Sequence, residues 1–110
     1  MPIELKSYSK GNSGCVVLVG ELDAGAAPEV RVVVEQVLAS KPGKLVLYVE
    51  QLTFMASAGL RILIFAKQKQ PDVQIYLVKP QATVVDTLKK TGFYESVYIL
   101  ETEMTDAEVG

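Results

Sequence analysis

The chain has 110 residues, 49% hydrophobic and 22% charged, with eleven basic against thirteen acidic side chains and a formal net charge of −2. That size and apolar content suit one self-sufficient globular domain, 1–110, while the slightly acidic balance without a basic run argues against a nucleic-acid partner, and no apolar run approaches the roughly 20 residues of a membrane-spanning helix. With no histidine and a single cysteine, the chain lacks the usual general base, any internal disulfide and a thiolate metal cluster, so it is expected to be no enzyme and to need no metal and no cofactor.

Ile3 to Ser9 alternates in character, Lys10-Gly-Asn-Ser-Gly14 is a dense turn signal, and the apolar run Cys15 to Val19 returns, which predicts a β-hairpin. Cys15 opens that run and is expected to be a small buried hydrophobe rather than a reactive thiol. The opening Met-Pro-Ile-Glu-Leu-Lys does not resemble a signal peptide, which places the chain in the cytoplasm with no direct membrane insertion.

Val30, Val33, Val34, Val37 and Leu38 recur at helical spacing behind Pro28, which suits a first helical turn; the predicted helix ends at Lys41-Pro-Gly-Lys44. Asp23, just before it, reads either as a residue holding the turn into this helix or as part of a site. Leu45 to Val49 is a buried strand. A loop then leads to a second helix from Ser57 to about Gln70, stopped by Pro71. Val73 to Val78 is another strand, Lys79-Pro-Gln-Ala opens a third helix carrying Val84, Val85 and Leu88 with Gly92 at its C′ position, and Val97 to Leu100 is a last short strand. The acidic segment from Glu101 reads as a turn of helix from Thr105 or as a frayed end. The expected fold is α/β: one mixed sheet, an initial hairpin followed by β-α-β units, packed with about four helices.

The second helix carries the functional interest. Its start, Leu52-Thr-Phe-Met-Ala-Ser-Ala-Gly-Leu60, delivers a hydroxyl, Ser57, to a helix N-terminus, where unpaired N–H groups and partial positive charge tolerate a phosphate. Ser57 therefore reads either as an N-cap or as a modification site. Ile62, Leu63, Phe65 and Ala66 cover one face. Ser57, Leu60, Arg61, Ile64 and Gln68 form a separate stripe, which is either an outward docking surface or is covered by a neighbouring element. Gly59 is expected to permit close approach of the helix start to the sheet or to the loop carrying Asp23. Arg61, one turn beyond Ser57, can pair with a phosphate there or simply be solvated.

Gly20-Glu-Leu-Asp23 after a strand, the Leu52–Leu60 segment opening the second helix, and Val78-Lys-Pro-Gln-Ala-Thr-Val-Val-Asp-Thr-Leu-Lys-Lys-Thr-Gly-Phe93 together resemble the STAS domains of bacterial anti-sigma factor antagonists over essentially the whole chain. The resemblance implies a non-enzymatic, phosphorylation-switched partner. A GHKL-type serine kinase that is also the anti-sigma factor would phosphorylate Ser57, a PP2C-type phosphatase would reverse it, and Asp23 would be the acidic residue kept beside the phosphosite. The family pattern Asp-Ser-Ser/Thr-Gly here reads Ala56-Ser57-Ala58-Gly59, which loses a carboxylate, and Arg61 replaces the small residue common there. The other reading that the resemblance leaves open is a constitutive STAS scaffold, such as the STAS subunit of a lipid-transport ABC system. A small-molecule or nucleotide site has no motif behind it.

Overall fold

The computed structural model describes residues 3–101. The hairpin forms as expected: β1 (Glu4–Lys10) pairs antiparallel with β2 (Ser13–Leu22) in an unbroken register from Glu4 opposite Val19 to Lys10 opposite Ser13. Then come α1 (Ala27–Leu38), β3 (Lys44–Tyr48), β4 (Leu52–Met55), α2 (Ser57–Lys69), β5 (Gln74–Val78), α3 (Ala82–Lys90) and β6 (Tyr98–Leu100). The sheet order is β1-β2-β3-β5-β6, parallel after the hairpin, with β4 pairing the far end of β2. Among the described residues there are three α-helices and one 3-10 turn, Tyr94–Ser96; the turn of helix expected from Thr105 lies outside them. None of the described helices is long and apolar enough to cross a membrane.

β4 is the one strand that pattern reading took for loop. Its four residues run buried, exposed, exposed, buried, so they lack the alternation that betrays a strand. The irregularity has a cause in its partner. β2 pairs β3 through Ser13 to Val17 and then β4 through Gly20, Glu21 and Leu22, with a register shift between Gly20 and Glu21. Gly20 holds φ 113°, a conformation closed to side-chain-bearing residues, and its N–H bonds the Gln51 carbonyl at 3.0 Å.

All three helices cover the same face of the sheet. Val30, Val34 and Leu38 of α1, Ile62, Leu63 and Ala66 of α2, and Val84 and Leu88 of α3 meet Val16, Leu18, Leu45, Leu47, Ile75 and Leu77 in one continuous core. Each large aliphatic side chain buried there contributes about 1.5–3 kcal/mol of apolar transfer. The valine spacing of α1 thus outweighs the weaker helix propensity of β-branched residues. α3 closes as its Gly92 suggested: the Gly92 N–H reaches the Lys89 carbonyl at 3.2 Å and the Phe93 N–H reaches Leu88 at 3.0 Å, the paired bonds of a Schellman end.

The opposite face carries a smaller cluster of Cys15, Val46 and Val78 beneath Tyr48, Tyr76 and Leu100. Cys15 is fully buried, as its setting in the apolar run implied. Burial pushes its thiol pKa above the ordinary 9.0, against smaller opposing effects of side-chain hydrogen bonds from Tyr8 and Tyr48 and of the Lys10 charge. A raised folded-state pKa means that the thiol's contribution to stability is complete below its unfolded value and is lost as pH rises through the folded one. The urea midpoint of the wild type should therefore fall more steeply above pH 9.0 than that of Cys15→Ala, and equal slopes would contradict this account.

Candidate functional site

The start of α2 hangs from the end of β2. Leu22 pairs with Met55, and the Ala56 N–H bonds the Leu22 carbonyl at 2.9 Å. Ala56 is extended (φ −79°, ψ 170°) and occupies the N-cap, so Ser57 is the first helical residue. The N-cap reading of Ser57 is thereby corrected. Strand pairing extends through Met55, helical backbone begins at Ser57, and the single residue between them is an alanine with no oxygen to cap with. Among the described residues no hydrogen bond involves the Ser57 hydroxyl, and the Ser57 and Ala58 N–H groups also lack a partner; those of Gly59 and Leu60 both turn to the Ala56 carbonyl, at 2.9 and 3.4 Å. Ser57 is exposed, and the first turn of α2 carries no acidic residue. The site is a solvent-facing hydroxyl beside open amide donors at the positive end of a 13-residue helix.

Asp23 holds the turn into α1. Its Oδ1 accepts the Ala26 N–H at 2.9 Å and its carbonyl accepts the N–H groups of Ala26 and Ala27 at 3.2 and 3.1 Å. It directly follows Leu22, so the Leu22–Ala56 hydrogen bond draws the chain at Asp23 and the chain at Ser57 to the same end of the sheet.

Gly59 is where α2 touches this junction. A Cβ there would lie 2.8 Å from Leu22 Cγ, Leu22 Cδ2 and Met55 Cγ, inside any tolerable contact. α3 braces the same segment from its other side: Gln81 Nε2 donates to the Glu50 carbonyl at 2.8 Å, Thr83 Oγ1 to Thr53 at 2.8 Å, and Thr87 Oγ1 to Met55 at 3.2 Å. Thr83 and Thr87 of α3 thus supply donors to two carbonyls of β4, the strand that leads to Ser57, and Gln81 at the N-cap of α3 supplies one to the turn just before that strand.

Along α2, Ser57, Arg61, Ile64 and Gln68 are exposed, with Ile64 at 38%. Leu60 is not part of that surface: it is 6% exposed and belongs to the main core. At about 100° per residue it falls about 60° to one side of the line through the other four, which on a helix apolar nearly all round puts it under cover. Beside the stripe, a groove of about 280 Å³ runs between α1 and α2, with Ala27, Arg31, Ala58, Arg61 and Phe65 among its walls. The Arg31 guanidinium lies 4.3 Å from the Phe65 ring centroid and pairs with Glu35 at 3.3 Å. Arg31 did not stand out in the sequence and Phe65 read only as part of the covered face of the second helix, because they lie on different helices and only the packing of α1 on α2 brings them together. Phe54, three residues before Ser57 and 45% exposed, was likewise hidden in a segment read as loop.

The helices on one face, the β2–β4 pairing and the serine at the start of α2 define a domain class. The STAS domain family model matches residues 5–108, and the chain belongs to that family. Among solved structures, an anti-sigma factor antagonist from Mycobacterium paratuberculosis is 23% identical with TM-score 0.82, the alignment covering 91% of this chain and 86% of that one. The anti-sigma factor antagonist SpoIIAA in its unphosphorylated form is 18% identical with TM-score 0.67, covering 96% and 92%. The Bacillus cell fate determinant SpoIIAA in its phosphorylated form is 18% identical with TM-score 0.63, covering 88% and 89%. Likeness at these identities establishes the shared fold. A search of curated proteins returns no significant match.

Gly59→Ala should destabilise the fold by about 1–3 kcal/mol despite alanine's better helix propensity, because the added methyl overpacks Leu22 and Met55. Denaturant unfolding measures it, and an unchanged or raised midpoint would show that the junction has slack.

Proposed function

We propose that the chain is a phosphorylation-switched protein-interaction module, an anti-sigma factor antagonist in the cytoplasm that binds a GHKL-type anti-sigma kinase through the exposed face of α2. Binding occurs while Ser57 carries a free hydroxyl; phosphorylation by that kinase releases the partner, and a PP2C-type phosphatase restores the binding form. The observation that carries this reading is the exposed, unengaged hydroxyl of Ser57 at the edge of the Arg61, Ile64 and Gln68 surface. Membership of the STAS family and the existence of SpoIIAA in phosphorylated and unphosphorylated forms support it.

The chemistry follows from charge. A phosphate adds about −1.5 to −2 units of charge. On the chain itself that charge is welcome: the amides of Ser57 and Ala58 are open donors, Arg61 follows one turn later, and Ala56 removes a carboxylate that would repel it. Across an interface the same charge must be desolvated against a surface shaped for a hydroxyl and for Ile64, which costs affinity. The domain itself needs to catalyse nothing; Ser57 is the substrate of another protein.

Ser57→Asp should weaken binding to the cognate kinase by about tenfold or more, while Ser57→Ala retains it. Equal affinities by calorimetry would defeat the switch. Alanines at positions 56 and 58 also suit a constitutive scaffold, in which the same α2 face docks permanently on its partner. Phosphopeptide mapping of Ser57 from producing cells under several stress conditions separates the two, since the scaffold predicts no modification under any of them.

Arg61 should act as a local counter-charge for the phosphate. In phosphorylated protein, a ³¹P titration should place the second phosphate pKa below its usual value of about 6, and Arg61→Ala should raise it. Identical titrations in the two proteins would return Arg61 to a purely solvated role.

A further inference from the structure

The chain has only two arginines, Arg31 on α1 and Arg61 on α2, and both stand in the walls of the groove of about 280 Å³ between these helices. Among the described residues none that walls this groove is acidic; Ala27, Ala58, Ile62 and Phe65 supply much of the rest. The carboxylates of the flanking segments are accounted for. Glu35 pairs with Arg31 at 3.3 Å and Asp23 Oδ1 takes the Ala26 N–H at 2.9 Å. Glu29, in the first turn of α1, lies about 160° around the helix from Arg31 at roughly 100° per residue. α2 contains no acidic residue, and of its three cations Lys67 is tied to the Pro71 and Val73 carbonyls at 3.2 and 2.8 Å. Arg61 and Lys69 remain, the second 5.9 Å from the Phe65 centroid.

Arg31 is set for a planar, two-oxygen partner. Its guanidinium lies over the Phe65 ring at 4.3 Å, which limits its freedom in advance of binding, and its Nε donates to Glu35 Oε1 at 3.3 Å. Among the described residues its two terminal amino groups, and every side-chain donor of Arg61, lack a protein partner. The Arg31–Glu35 pair is itself 55% and 45% exposed, the weak kind that yields to a carboxylate held away from water. The groove is smaller than the roughly 300–1,000 Å³ of a small-molecule site and suits a single side chain. Two guanidinium forks with an apolar floor match a carboxylate on a short aliphatic stem.

We infer that this groove receives a glutamate of the partner protein that docks on α2, its carboxylate held between Arg31 and Arg61 and its stem against Ala58 and Phe65. The inference rests on the reading of α2 as the partner-binding face, and it names what the partner brings to that face. It also gives the modification a second way to act. Ser57 lies one turn before Arg61, so a phosphate there takes the guanidinium that the partner's carboxylate needs.

Two arginines give two Nε–H signals, so NMR of the full chain reads the groove directly. The probe is a short peptide, blocked at both ends, with one glutamate between leucines. Both Nε signals and the Ala58 amide should shift, and the same peptide with glutamine in place of glutamate should bind about tenfold or more weaker. Arg31→Gln should weaken binding by a similar factor. Glu35→Gln, which leaves Arg31 without its own carboxylate, should tighten it, a gain that misfolding cannot mimic. Ser57→Asp should weaken it, and an unchanged affinity would overturn the sharing of Arg61. The inference as a whole is overturned if neither Nε signal moves or if the glutamine peptide binds equally well. It is also overturned if inorganic phosphate, or self-association at the same concentrations, moves these signals and the peptide does not. Its failure is distinct from failure of the switch. A cognate kinase that releases Ser57→Asp but binds Arg31→Gln as tightly as wild type overturns the groove and keeps the switch; one that loses Arg31→Gln but binds Ser57→Asp unchanged does the reverse.

Discussion

β2 serves two neighbours, and the rest of the molecule is arranged by that fact. Its first half is a central strand between β1 and β3; past Gly20 it turns away from β3 and takes β4 instead. A single residue with φ 113° makes the change possible, since a side chain there would forbid the conformation that shifts the register. The short pairing of Glu21 and Leu22 with Phe54 and Met55 then fixes where α2 begins, and with it where the Ser57 hydroxyl stands.

The junction is held by close packing and by hydrogen bonds that come from a distance. Leu22 and Met55 fill the space left by the missing side chain of Gly59, while Gln81 at the N-cap of α3 and Thr83 and Thr87 within it supply donors to the carbonyls of Glu50, Thr53 and Met55. Such a frame lets a residue at its tip be modified without disturbing the core, because Ser57 contributes neither a cap nor a buried contact. The same independence makes the residue suitable as a signal. What a phosphate there would change is the surface, where Arg61, Ile64 and Gln68 face solvent.

The two faces of the sheet divide the chemistry. Aliphatic side chains from three helices fill one side, where packing rewards shape and excludes water. On the other side none of the described helices packs, and a thin cluster around Cys15 lies under tyrosines whose rings are apolar and whose hydroxyls tolerate solvent.

Much of this was legible in the linear sequence, because the signals are local. The valine spacing of α1, the apolar runs of β3 and β5, Gly92 closing α3 and Gly59 at a close approach each follow from periodicity or from backbone sterics within a few residues. The three motifs that suggested the STAS family are local in the same way. Tertiary structure alone decided the rest. β4 is a strand only because β2 offers it an edge, so its four residues carry no alternation of their own. Leu60 is buried and Ile64 is not because neighbouring elements cover one flank of α2, which a helical wheel cannot show. Arg31 meets Phe65, and tyrosines from β1, β3, β5 and β6 gather on one face, through strand and helix partners far apart in the chain. Local sterics and hydrophobic period determine which elements form; which side chains share a surface depends on long-range pairing, and that is settled only when the elements assemble.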